Sequence, residues 1–85
     1  AAELAAELSE YHRLTAAVAR SAEQLLPLAE QRADLAMADY RSGRGSLDAL
    51  AVARSARTEA QLAHVQWQTE RALSHARLQL TWGDN

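Results

Sequence analysis

One break governs what this chain can fold into. Arg41-Ser42-Gly43-Arg44-Gly45-Ser46 is the only stretch of turn character ahead of the C-terminus. On its N-terminal side, residues 1–41 contain no Gly and a single Pro, Pro27; on its other side no breaker occurs from Leu47 to Trp82. In the first segment Leu4, Leu8, Tyr11, Leu14, Val18, Leu25 and Leu28 recur at three-, four- and seven-residue steps, the spacing of one helix face. Gly43 can adopt the left-handed conformation that closes a helix. Ser46 is a good N-cap for the next one, with Asp48 placing negative charge in its first turn. Gly83-Asp84-Asn85 ends the second segment. A short connection between two long helices makes them antiparallel neighbours. The sequence therefore predicts an all-α chain: one long antiparallel two-helix hairpin, coiled-coil-like, spanning residues 1–85. The first helix covers about 2–41, the turn about 42–46 and the second helix about 47–82, each rod roughly 55–60 Å long. Pro27 removes one backbone donor and crowds the carbonyl four residues earlier, which predicts a bend there and no stop.

A hairpin of 85 residues buries little core, so it is expected to need a partner, either copies of itself or the rest of a larger protein. Ala occurs twenty times while Lys, Ile, Phe and Cys are absent, a composition suited to long helices because Ala loses no side-chain entropy on entering one. The net charge of −2, with nine Arg scattered among eleven acids, gives no basic patch for nucleic acid or an acidic membrane surface. The absence of Cys excludes disulfides and thiolate metal sites. No apolar run is long enough to span a bilayer, and these residues are not expected to contain a signal peptide. The chain opens Ala1-Ala2 without Met, as an excised piece of a longer protein would, and targeting signals of a parent are then expected outside it.

The second helix carries two apolar seams at about 100° per residue. One holds Leu47, Leu50, Leu62, Val65, Leu73 and Leu80; the other holds Ala49, Ala53, Ala56, Ala60, Trp67, Leu78 and Trp82. A helix that packs only on its hairpin mate needs one seam, so the second predicts a further neighbour. Ala53, Ala60, Trp67, Leu78 and Trp82 are the predicted packing seam, the small Ala residues allowing close approach and the two Trp filling the interface. The first helix has a similarly broad apolar arc, from Leu28 and Leu35 on one flank to Leu26 and Met37 on the other.

Residues with catalytic or metal-binding chemistry do not assemble into a recognisable site, and the chain reads as a non-enzyme without cofactor or metal. His64 and His75 lie roughly 16 Å apart along the axis and cannot share an ion. A turn centred on Arg44 brings His12 level with His75, but neither has an Asp or Glu three or four residues away to complete a ligand set. The acid pairs Glu3/Glu7 and Glu30/Asp34 are adjacent on a helix, and two helices alone supply no dry pocket to tune them. They read as solvated faces, or as a cation-friendly lining if the rods form a tube. Gly43-Arg44-Gly45 is too short to cradle a nucleotide.

Leu25-Leu26-Pro27-Leu28-Ala29-Glu30, followed by the run from Ala36 to Leu50 (AMADYRSGRGSLDAL), resembles the TolC-like outer membrane efflux proteins. In that family a Leu-Leu-Pro precedes an Ala-rich stretch ending in Tyr, two variable residues and Gly. A Ser or Thr cap, an acid and Leu then open a second long helix. The likeness covers the chain from about Leu8 to Trp82, is most specific at the tip from Tyr40 to Leu50, and is nearest in style to the heavy-metal efflux branch. Gly45 stands where some members carry Arg, with Arg44 one place earlier. The resemblance implies the second, C-terminal hairpin of a periplasmic α-barrel. Such proteins are trimers whose subunits each give two hairpins to a twelve-helix tube, and whose tips meet a periplasmic adaptor protein of a tripartite pump. It implies that Tyr40, Arg41, Ser42, Gly43 and Arg44 form the adaptor-docking tip, and that the chain is the periplasmic portion of a bacterial outer membrane protein, itself not embedded in the membrane. The alternative, which needs only the helical periodicity, is a generic antiparallel coiled-coil module for oligomerisation or interaction. As an isolated piece the hairpin is expected to self-associate, two copies making a four-helix bundle.

Overall fold

The computed structural model describes residues 2–82. They form an all-α antiparallel hairpin 62 Å long and 15–17 Å across. The first rod consists of α1 (Ala2–Arg20), a π turn (Ser21–Leu25) and α2 (Leu26–Arg41); the second consists of α3 (Leu47–Arg77) and a terminal π turn (Leu78–Trp82). The expected stop at Gly83-Asp84-Asn85 lies outside the described residues.

A strict alternation of three- and four-residue steps sets the contact between the rods. On α3 the covered positions include Leu50, Ala53, Arg57, Ala60, His64, Trp67, Arg71 and Ser74, continuing to Leu78 in the π turn, with Ala63 covered beside them. That 3.5-residue repeat is the seam of a coiled coil. On α1 the matching series is Leu4, Glu7, Tyr11, Leu14 and Val18, continuing to Ser21 in the π turn. The next step should fall on Leu25, yet Leu25 is exposed and Leu26 is covered in its place; the series then resumes as Ala29, Ala33 and Ala36. The π turn absorbs this one extra residue. It closes with the Leu26 N–H donating to the Ser21 carbonyl, five residues back. The expected disturbance at Pro27 thus takes the form of a widened turn just ahead of it, through which the rod continues. Widening moves the preceding carbonyls away from the pyrrolidine ring, which a regular α turn would force against the carbonyl of Glu23.

The seam is lean. The buried apolar residues between the rods are Leu14, Ala17, Val18, Ala33 and Leu50, and the most buried side chains include Ser21 and Ser74. Serine at such points lets the rods approach closely but contributes little apolar burial. Arg57 and Arg71 lie along the seam only half-buried, an arrangement open to Arg because its apolar stem can cover a contact while its charged head stays in water.

The tip is fixed by its own backbone. Arg44 N–H donates to the Asp39 carbonyl (2.8 Å) and Gly43 N–H to the Tyr40 carbonyl (3.1 Å), the bonding pattern of a Schellman C-cap. Gly43 supplies the required left-handed residue at φ +80°. Gly45 N–H (2.9 Å) and Ser42 Oγ (3.1 Å) also donate to the Asp39 carbonyl. The next helix starts at once: Ser46 Oγ accepts from Ala49 N–H at 3.0 Å.

Candidate functional site

The surface offers two apolar faces and a polar tip. The first face is a groove where the rods meet, enclosing about 620 Å³. Its floor is the small-residue stripe Ala49, Ala53, Ala56, Ala60 and Ala63 of α3; Leu25, Leu28, Ala29 and Arg32 make one wall and Val52 and Trp67 complete the rim. Ala residues have no bulk to fill the space between two rods, so a trough remains that a third helix would fill. The predicted packing seam runs along this trough and the contact beneath it. Ala53, Ala60, Trp67 and Leu78 are half-buried toward the first rod, whereas Trp82 keeps 38% of its surface exposed. The covered series ends at Leu78, where the terminal π turn begins.

The second face lies on the opposite side of α3. Leu62, Val65, Thr69, Leu73, Ala76 and Leu80 succeed one another at three- or four-residue steps and carry no charge. All six are exposed: Leu62 at 57%, Leu73 at 56% and Leu80 at 88%. Leu47, at the foot of this line, is exposed as well. Leu50, expected on the same seam, is instead buried against the first rod, at 5% exposure. At 100° per residue it lies about 120° from Leu62, beyond the outward face.

At the tip Tyr40, Arg41, Ser42, Gly43 and Arg44 are all exposed. The Arg44 guanidinium reaches the Asp39 carboxylate at 3.4 Å, leaving Arg41 as the cation here without an ion pair among the described residues. Gly45, which in the sequence stands out only as a departure from a family pattern, has a structural duty of its own. A Cβ built on it would meet Asp39 Cβ at 2.9 Å and the Tyr40 nitrogen at 3.3 Å. The signal in the sequence is its place two residues after the Schellman glycine, where the chain folds back over the helix end.

Toward the far end one ion pair joins the rods and another lies within α1. Arg77 of α3 reaches Glu7 of α1 at 3.5 Å. Arg13 and Glu10 form a two-pronged pair at 3.0 and 2.7 Å, and the hydrogen bond from Arg13 holds the Glu10 carboxyl below its ordinary range. The same bond raises the Arg13 guanidinium. His12 does not meet His75, although the two are level along the rods by residue count. The ring of Tyr11 stands against His75 instead, centroids 5.8 Å apart, because Tyr11 occupies the seam and His12 the exposed position beside it. Among the described residues no three His, Cys, Asp or Glu side chains converge on a metal position. Glu3, Glu30 and Asp34 are exposed and Glu7 is bridged to Arg77. Among the described residues no helix is long and apolar enough to cross a membrane.

No protein-family model matches the chain, and no curated protein or solved structure is significantly similar to it.

Proposed function

We propose that this hairpin works as a structural packing element, one stave in a wall of helices, and that the wall is the periplasmic duct of an outer membrane export assembly. The observation that carries the structural part is the pair of apolar faces on α3, the Ala-floored groove and the line from Leu62 to Leu80 opposite it. A rod at the edge of a bundle needs one apolar strip; a rod flanked on both sides needs two. The duct assignment draws on the order of Leu-Leu-Pro, Tyr-x-x-Gly, Ser cap and acid from Leu25 to Asp48, and on an exposed tip suited to meeting an adaptor. The second reading, a coiled-coil oligomerisation module unrelated to export, is favoured by the 3.5-residue seam taken alone.

Cell fractionation and a tip cross-link separate the two. On the duct reading, the protein carrying this hairpin sediments with the outer membrane, and Ser42→Cys forms a disulfide with a cysteine placed on the periplasmic adaptor of its pump. Recovery in the cytosol with no such adduct overturns the duct reading and leaves the oligomerisation module.

A further inference from the structure

The hairpin exposes 6,040 Å². A compact monomer of its 9.3 kDa mass would expose about 5,000 Å². The surplus of about 1,000 Å² is close to the ~800 Å² that each partner buries in a standard protein interface. The Ala-floored groove is an apolar concavity on that surface; its Ala floor carries no charge, and Arg32 on the wall is the one charged residue that lines it.

We propose that the groove receives α3 of a second copy of this chain, the two hairpins lying side by side about a two-fold axis parallel to the rods. Symmetry selects this arrangement. The groove is walled by both rods, so a helix seated in it touches α2 and α3 together. If the two copies ran antiparallel, the two-fold would put both first rods on the same side of the α3 pair, where they would overlap. Parallel copies put them on opposite sides and give a rhombic four-helix bundle. Along its short diagonal Ala56, Ala60 and Ala63 face their own counterparts, and the absence of side-chain bulk permits the close axial spacing this requires. Charge agrees with the geometry. Glu59 lies beside Val52 and Ala56 on the flank of α3 turned away from α2, so the incoming α3 carries a carboxylate toward Arg32 on the far wall. The proposal concerns this chain alone and stands whether or not the duct reading does.

The chain has no cysteine, which makes orientation directly readable. Sedimentation equilibrium of the purified chain at micromolar concentration is expected to give twice the mass of the 9.3 kDa monomer. Ala56→Cys and Ala63→Cys are each expected to form a disulfide with their own counterpart under mild oxidation, because in a parallel pair every level of the stripe faces itself. Leu73→Cys, on the outward line, is expected to remain reduced. Ala60→Glu is expected to weaken association about a hundredfold while the helical circular dichroism persists. A monomeric wild-type chain, or dimers that cross-link at Leu73→Cys and not at Ala56→Cys and Ala63→Cys, overturns the proposal; cross-linking at only one of the two Ala sites overturns the parallel arrangement.

Discussion

Two glycines at the tip perform different tasks. Gly43 sits at φ +80° with open space around its missing Cβ, so its constraint is conformational: any L side chain there meets its own backbone. Gly45 is constrained by contact, since a Cβ would press on Asp39 Cβ, the root of a side chain that cannot swing away. Gly43→Val is therefore expected to lower stability by about 1–2 kcal/mol. Asp39→Gly, made in addition, should recover none of that loss. Gly45→Ala is also expected to destabilise, and its cost should be smaller when measured in an Asp39→Gly background, which lacks the obstructing atom. Thermal melts of Asp39→Gly, the two glycine variants and the two double variants check this; equal behaviour of the two glycines toward Asp39→Gly would refute the division. The role of Gly43 was legible in the sequence because helix termination by a left-handed glycine is a local rule. That of Gly45 was not, because it depends on where Asp39 stands once the chain has reversed. The same distinction applies to His12 and Tyr11: level counting along two rods gives height to within a residue, but only the packed seam decides which neighbour faces across it.

At the scale of the element, the two long rods and the turn between them result from the placement of Gly, Pro and Ser, whereas the register between the rods cannot be read from periodicity alone. The first rod carries a heptad series interrupted by one surplus residue, and the interruption falls next to Pro27. The two features are a single device. A proline inside a regular α-helix costs ~3 kcal/mol or more through the lost donor and the clash with the carbonyl four residues back. A π turn ahead of it relieves the clash, and the surplus residue keeps both halves of the rod facing α3. This predicts a coupling. Deleting Glu23 closes the π turn to an α turn and should destabilise the hairpin while Pro27 is present, since the ring again meets a carbonyl. In a Pro27→Ala background the same deletion should cost little or even stabilise, because the three-four alternation then runs unbroken from Leu4 to Ala36. A double-mutant cycle on the denaturant midpoint measures the coupling, and additive effects would show that the π turn has another cause. The surplus residue was invisible at the sequence level because a Leu stands at both Leu25 and Leu26, so the apolar pattern reads smoothly through the slip.

For the whole molecule the central fact is that apolar residues are distributed over more surface than one hairpin can cover. The sequence revealed this as two seams but mixed their members. Leu50 belongs inside the hairpin because the seam keeps to a 3.5-residue repeat, and a straight 100° wheel drifts away from it over eight turns. The sorted faces have separable jobs. The groove is the concave face that a second copy can fill; the line from Leu62 to Leu80 is convex and lies on the opposite side of the same helix, so a dimer formed in the groove leaves it bare. The double variant Leu62→Arg with Leu73→Arg is accordingly expected to leave both the helicity and the dimer mass of the isolated chain unchanged, since these side chains are more than half exposed and touch nothing across the groove. On the stave reading, which makes the hairpin part of a longer protein, the same pair should abolish that protein's higher assembly, because each Arg would place an unpaired charge in an apolar contact between neighbouring rods. Gel filtration of the isolated chain and of the full protein, side by side, reads both outcomes. Loss of the dimer in the isolated chain would mean that the convex face is the self-association surface. An unperturbed assembly of the full protein would mean that the line from Leu62 to Leu80 has no neighbour, and the two-sided wall would then lack its second side.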